Sequence, residues 1–185
     1  MIRTSRLDLV PATIDLLRAE LEGRDVLSRG LAAIVPPDWP PELYDRSAVE
    51  WTLGHLEADS QNAGWLLYYF VLRGEDDGLG TAVGCGGFKG GPSGGSVEVG
   101  YSILEGFRRR GFASEAVEGL VRYALAQDGV HRVVAETMPE LEPSIRVLER
   151  CGFARARDEE DAVVIRFVRM AEPARGSSSE DPGTG

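Results

Sequence analysis

Cysteine is scarce: Cys85 and Cys151 are the only two, and they lie far apart in the chain. Thiols at that spacing build neither a disulfide framework nor a zinc site of the CxxC kind. Both read as small, reduced core residues. Histidine is just as sparse, since His55 and His131 stand alone with no spacing that would make a metal site, and no metal is expected. Positive charge is the minority sign: 20 Lys and Arg face 30 Asp and Glu, a net charge of -10. General nucleic-acid binding through surplus cationic charge is thereby excluded, and any anion must meet a local patch. Long apolar runs are missing as well. The longest, Trp65 to Leu72, is far too short to span a bilayer. The opening MIRTSRLDLVPATIDLL breaks its apolar stretch with Asp8 and Asp15 and shows no cleavage signal. A soluble, cytoplasmic protein with no membrane contact is the expectation.

What is present suffices for one domain. The 185 residues are 43% apolar, enough to bury well over half of the unfolded surface. The last fifteen, AEPARGSSSEDPGTG, hold no large apolar side chain and are dense in Ser, Gly and Pro. They cannot repay the entropy of ordering, so residues 171–185 are expected to be a flexible tail on a domain of residues 1–170.

Periodicity then divides the domain. Leu7, Leu9 and Pro11 start a strand, and Ile14, Leu17 and Leu21 recur at helical spacing before Gly23. Four prolines within residues 36–41 enforce an extended loop that carries Trp39. A helix is expected from Arg46 to about Asp59, then strands over 65–72 and 81–88, a glycine-rich hairpin loop, and a strand over 96–103. In that strand Val97, Val99, Tyr101 and Ile103 share one face, and Ser96, Glu98, Gly100 and Ser102 the other. Residues 113–125 follow the i, i+3, i+4, i+7 rule without a break. A strand over 132–137, a short helix from Pro143 to Arg150 with Gly152 past its end, and a strand over 163–169 complete the reading. Strands and helices mixed in this order predict an α/β layer fold with a mixed sheet.

The junction that carries chemistry is Arg108-Arg109-Arg110-Gly111-Phe112-Ala113, followed by Ser114 at the opening of the long helix. A helix N-terminus offers unpaired N–H groups and partial positive charge, Gly111 permits close backbone approach, and three arginines add to the field. A phosphate-bearing ligand fits such a junction. The other reading is a solvated turn with three exposed arginines.

The R-x-x-G-x-A stretch between strand and helix resembles the Q/R-x-x-G-x-G/A signature of the GCN5-related N-acetyltransferases, the GNAT superfamily. A second stretch, EVGYSILEGFRRRGFASEAVEGLVRYAL followed by HRVVAETMPELEPSIRVLERCGF, is similar to the branch that includes ribosomal-protein N-terminal acetyltransferases. The opening TSRLDLVP resembles that branch's first strand. The resemblance implies a mixed, mostly antiparallel sheet flanked by helices, with splayed central strands forming an acyl-coenzyme A cleft. It implies acetyl-coenzyme A as acetyl donor and an amine as acceptor, a small molecule or a protein N-terminus. The main chain around Ile103 would pair with the pantetheine arm. The loop from Arg108 through Arg109, Arg110, Gly111, Phe112 and Ala113 to Ser114 would cradle the pyrophosphate. The cleft would open between strands 96–103 and 132–137.

Two positions depart from the family's pattern. Where that branch has a cofactor-contacting Asn this sequence has Leu141, with Pro143 beside it, and where many relatives have a thiolate-protonating Tyr it has Leu148. A tyrosine acid at this site is excluded. Transfer of an acetyl group needs a neutral amine, a held oxyanion and a released thiolate. Glu98, two residues before Gly100 on the polar face of the cleft strand, is the expected general base, the alternative being a carboxylate that merely pairs with a cation. Ser144 is the expected donor to the departing sulfur, the alternative being a hydroxyl that satisfies the helix start. The acidic turns 74–78 and 157–161 could draw in a cationic amine, or simply be solvated. The Trp39 loop and the helix after it would form the far wall of the acceptor site, with Trp39 as a stacking residue or a plain anchor. A non-catalytic acyl-coenzyme A binding or sensing module is the competing function. Neither a Walker nor a Rossmann fingerprint follows the first strand. A homodimer is left open.

Overall fold

Thr13 caps the first long element: its hydroxyl accepts from Leu16 N, and the chain winds into α1 (Ile14–Glu22) until Gly23, at φ 146°, ends it. A second helix, α2 (Arg24–Leu31), follows at once. Sequence periodicity misses it, because Arg, Asp, Ser and Gly dominate RDVLSRGL and Leu27 alone is buried. Packing against α1 makes it a helix. Asp45 caps α3 (Arg46–Ala58) by accepting from Ala48 N. The computed structural model describes residues 1–75, 78–156 and 163–172.

The strands are β1 (Ile2–Arg3), β2 (Leu7–Pro11), β3 (Ala33–Ile34), β4 (Leu67–Leu72), β5 (Gly80–Phe88) and β6 (Ser96–Ile103), then β7 (Arg132–Thr137), β8 (Ala154–Arg155) and β9 (Ile165–Met170). They form one open sheet in the order β1-β2-β4-β5-β6-β7-β9-β8, with β3 beside β5. Neighbours run antiparallel except at β3–β5 and β6–β7. The mixed, mostly antiparallel architecture read from the sequence is therefore the observed one. Close strand contact explains some of the glycines: a Cβ on Gly87 would lie 1.7 Å from the Leu66 carbonyl oxygen.

The two faces of the sheet carry two cores. On one face, α4 (Phe112–Leu125) buries Ala116, Val117, Leu120 and Val121 against Val97, Val99 and Ile103 of β6. Full burial of each such Leu or Val side chain is worth roughly 1.5–3 kcal/mol. The short α5 (Glu142–Arg150), with Pro143 in its first turn, packs on the same side through Leu148. On the other face α1, α2 and α3 enclose Leu17, Leu27, Val49 and Leu56 with Tyr69 and Cys85 of the sheet.

The feature that makes a site is a split in the sheet. β6 and β7 are paired in parallel at Ser96–Arg132, Val97–Val133 and Glu98–Val134, and the register ends there. Beyond that pair the strands diverge. The expected flexible tail falls almost wholly outside the described residues, as do 157–161 and Asp76 and Asp77 of the two acidic turns.

Candidate functional site

β6 is antiparallel to β5, so successive residues turn their backbone groups to opposite sides. Lys89 N donates to Glu98 O, and Leu104 N to Val83 O, so the even-numbered residues of β6 face β5. Tyr101 and Ile103, with the Val99 carbonyl, must then face the gap left by β7, the Val99 N–H being taken up by the Glu98–Val134 pairing. An extended amide-bearing chain could add to that edge as a strand would.

The gap opens into a cavity of about 1490 Å³ that reaches from the α4 N-terminus to α3. At one end Gly111, at φ 84°, caps α4 with no side-chain hydrogen bond to the first turn. The N–H groups of Phe112, Ala113 and Ser114 belong to that first turn. Arg109 is also left-handed, at φ 61°. Cys151 Sγ donates to Ser114 O at 3.4 Å, which brings the end of α5 against this loop. Arg109 and Arg150 line the cavity there, and neither forms an ion pair among the described residues.

The loop is braced from the N-terminus, a connection the sequence did not disclose. Glu115, in the first turn of α4, accepts from the Thr4 hydroxyl at 2.6 Å, from Arg6 N at 2.6 Å and from Arg6 Nε at 2.7 Å. The Arg6 guanidinium also donates to Arg110 O at 3.1 Å and lies 4.5 Å over the Phe112 ring. Burial pushes the Glu115 carboxyl up, but those three donors together outweigh it and hold it below the usual carboxylate range. Arg6 and Glu115 are positioning residues for the loop. A strand-start Arg paired with a helix-start Glu 109 residues later leaves no local pattern to find.

Arg108 does something different from its neighbours. Its Nε donates to Ile103 O at 3.0 Å and its Nη2 to Glu42 at 2.8 Å, so the side chain straps the loop to the segment before α3. Arg110 instead lies 5.6 Å over the Phe107 ring.

Of the two expected catalytic residues, Ser144 lines the cavity and Glu98 does not. Glu98 sits at the last paired position of β6, on the face away from α4, and its carboxylate is ion-paired with Lys89, which lines the cavity. Glu136 of β7 shares that face, lines the cavity, and accepts from Arg166 Nη2 at 2.7 Å. A Cβ on Gly100 would meet no protein atom, so open space lies above it. Ser144, near the start of α5, has its Oγ 3.0 Å from the Tyr101 hydroxyl. Burial pushes the Tyr101 phenol up to about 12, so it is protonated at neutral pH. Tyr101 read from the sequence only as an apolar-face residue; the helix facing it is what gives it a polar partner. Leu148, by contrast, is buried. Thr137 Oγ1, in the β7 wall, is buried with no hydrogen-bond partner among the described residues.

Trp39 is an anchor and not a cleft residue. Its Nε1 donates to Glu20 at 2.7 Å, and the Tyr69 and Tyr44 hydroxyls donate to the same carboxylate at 2.7 and 2.9 Å. Burial raises the Glu20 carboxyl, and those bonds offset the rise in part. The helix expected on the acceptor side lines the cavity through Ala48, Trp51 and Thr52. His55 stacks on Trp51 at 3.8 Å between ring centroids. Both cysteines are buried, as read. Among the described residues no cluster of His, Cys, Asp or Glu could hold a metal ion, and no helix is long and apolar enough to cross a membrane.

Comparison with known proteins agrees with this geometry. Residues 7–154 match the family model described as Acetyltransferase (GNAT) domain. The uncharacterized N-acetyltransferase YjdG of Bacillus subtilis is 26% identical over 154 residues, covering 83% of this chain and 89% of its own. YnaD of the same organism is 32% identical over 60 residues, and the match spans only 35% of that relative's length. Among solved structures, an acetyltransferase from Agrobacterium tumefaciens superposes with TM-score 0.62 at 24% identity, over 91% of this chain and 92% of that one. RimL, a ribosomal-protein alpha-N-acetyltransferase solved with coenzyme A, gives 0.60 at 16% identity, over 90% and 95%. These likenesses show a shared fold, and the family model covering most of the chain shows membership. With its split sheet and bare helix N-terminus in place, this chain belongs to the GNAT family of acetyltransferases.

Proposed function

We propose that the protein transfers the acetyl group of acetyl-coenzyme A directly to a primary amine. The observation that carries this reading is the continuity of one cavity from the uncapped first turn of α4, past the open edge of β6, to the acceptor side of the sheet. The residues fit the donor: the first-turn amides of α4 and Arg109 suit a pyrophosphate, and the β6 edge from the Val99 carbonyl through Tyr101 suits the pantetheine amides. Thr137 Oγ1 is a buried hydroxyl beside that path with no partner among the described residues. Bound there, acetyl-coenzyme A would supply an activated acetyl thioester.

The chain's own groups then handle protons and orientation. Glu98 accepts the proton from the amine, whose ammonium form competes with Lys89 for the carboxylate. Glu136, fixed by Arg166, adds negative charge on the opposite wall and favours binding of the cation. Ser144 donates its proton to the departing sulfur, recovers one from the Tyr101 hydroxyl behind it, and the phenolate so formed takes a proton from solvent. Arg108 must yield Ile103 O if the pantetheine is to use that carbonyl, which also releases Glu42.

Glu98→Gln and Glu136→Gln, each assayed for turnover and for calorimetric binding of acetyl-coenzyme A, test the reading. A base contributes typically 10²–10⁴-fold, so Glu98→Gln should cut kcat by about that factor with cofactor affinity unchanged, while Glu136→Gln should act chiefly on KM. The reverse pattern would move the base to Glu136. Absence of acetyl-coenzyme A binding by the unaltered protein would sink the proposal.

A further inference from the structure

Ten large apolar side chains are exposed among the described residues, and five of them line this single cavity: Leu43, Trp51, Met138, Leu141 and Val164. They do not sit on one element. Leu43 and Trp51 come from the segment before α3 and from α3 itself, whereas Met138, Leu141 and Val164 come from the end of β7, the cap of α5 and the approach to β9. Leu43 is 90% exposed, Trp51 48% and Met138 49%, so protein packing does not account for these positions. Water-exposed apolar surface gathered on two facing walls of a cleft marks a binding surface.

The charged groups of the cavity are mixed: Lys89, Arg108 and Arg146 are ion-paired with Glu98, Glu42 and Glu142, and Arg109 and Arg150 lie by the α4 N-terminus. Glu42, Glu105 and Glu136 line the same cavity, and Glu42 belongs to the segment that supplies Leu43. An extended polycation would lay its charges against Trp51 and Leu141. Apolar walls with scattered carboxylates instead complement a molecule whose cationic nitrogen adjoins a bulky hydrocarbon or aromatic group. Leu141 belongs to this surface, which gives a physical reason for a hydrophobe where the resembling branch has Asn.

We infer that the acceptor is a primary amine borne next to a large apolar group, as in an arylalkylamine or a peptide whose first residue is Leu, Phe or Met. This rests on the acetyltransferase reading above for its chemistry, but not for its binding surface. Trp51 and Leu141 are then specificity residues on opposite walls.

The experiment uses the full chain and four probes: phenethylamine, a Phe-initiated tripeptide amide, spermidine and glucosamine. Binding is followed by tryptophan fluorescence and calorimetry, and acetylation by coenzyme A release. The expected result is a preference for the apolar amines of about 10–100-fold in Kd or in kcat/KM. Trp51→Ala should remove most of that preference without altering acetyl-coenzyme A affinity, and Leu141→Asn should reduce it. The ratio between phenethylamine and the tripeptide separates a free amine from a chain terminus. Equal or stronger binding of spermidine or glucosamine, or no binding of any amine, overturns the inference. Apolar preference in binding with no acetylation upholds it and overturns the transferase proposal; acetylation with a polar preference does the opposite.

Discussion

Glu20 and Glu115 are carboxylates displaced in opposite directions, and the difference lies in what compensates their burial. Glu20 is half-buried among Trp39, Tyr44 and Tyr69, whose neutral donors do not fully offset desolvation, so its pKa rises above 4.5. The folded protein then holds the Glu20 proton more tightly than the unfolded chain does. Its contribution to stability is complete below 4.5 and is lost as pH rises through the folded value. Glu115 has a guanidinium among its donors and is lowered, so its contribution is complete above 4.5 and is lost as pH falls through its folded value. Thermal unfolding followed across a pH series should therefore show Glu20→Gln flattening the decline above pH 4.5 and Glu115→Gln flattening the acid limb. A mutant curve parallel to that of the unaltered protein would refute either assignment. Neither carboxylate was legible in the sequence, since partners 19 to 111 residues away form no local pattern.

At the scale of elements, two glycines in facing strands should behave differently. On β5, a Cβ at Gly87 would overlap the Leu66 carbonyl oxygen, and the backbone there cannot give way without breaking the ladder. Gly87→Ala is expected to cost about 1–3 kcal/mol, measured by denaturant unfolding. On β6, Gly100 faces open space in the cleft, so Gly100→Val should leave the denaturant midpoint nearly unchanged while lowering turnover at least tenfold by filling the acceptor path. Loss of stability in the second variant without loss of rate would contradict its place in the cleft. The N-terminal brace works on the same scale. Arg6→Ala removes the donor to Arg110 O and the cover over Phe112, and should weaken acetyl-coenzyme A binding by about tenfold by calorimetry, with the apolar face of α4 unaltered.

Across the whole molecule, the two cores meet at the split sheet, and Arg108 links their loops through Glu42. That pair is exposed on the Glu42 side, so its worth to global stability is small, about 0–1 kcal/mol. Glu42→Gln should leave the unfolding midpoint where it is. Acetyl-coenzyme A should bind it no more weakly, because Arg108 is then freer to leave Ile103 O; calorimetry checks the latter, and weaker binding would show the strap to be part of the cofactor site.

Much of this was determined by the sequence alone. The amphipathic run behind α4, the alternation in β6 and the Gly111 junction are short-range patterns, set by the periods of helix and strand and by the backbone freedom that a left-handed turn demands. The resemblance of the Gly111 junction and of the stretch after it to the GNAT signature indicated the family, and with it an expected donor end. Tertiary structure decided the rest, because the decisive contacts join distant residues. The end of the β6–β7 register, the Arg6–Glu115 brace, the Tyr101–Ser144 pair and the apolar walls each require folding to bring their parts together. Trp39 and Trp51 show the same division: both are aromatic residues beside proline-rich or helical segments, and only packing buries one against Glu20 and leaves the other facing the cleft.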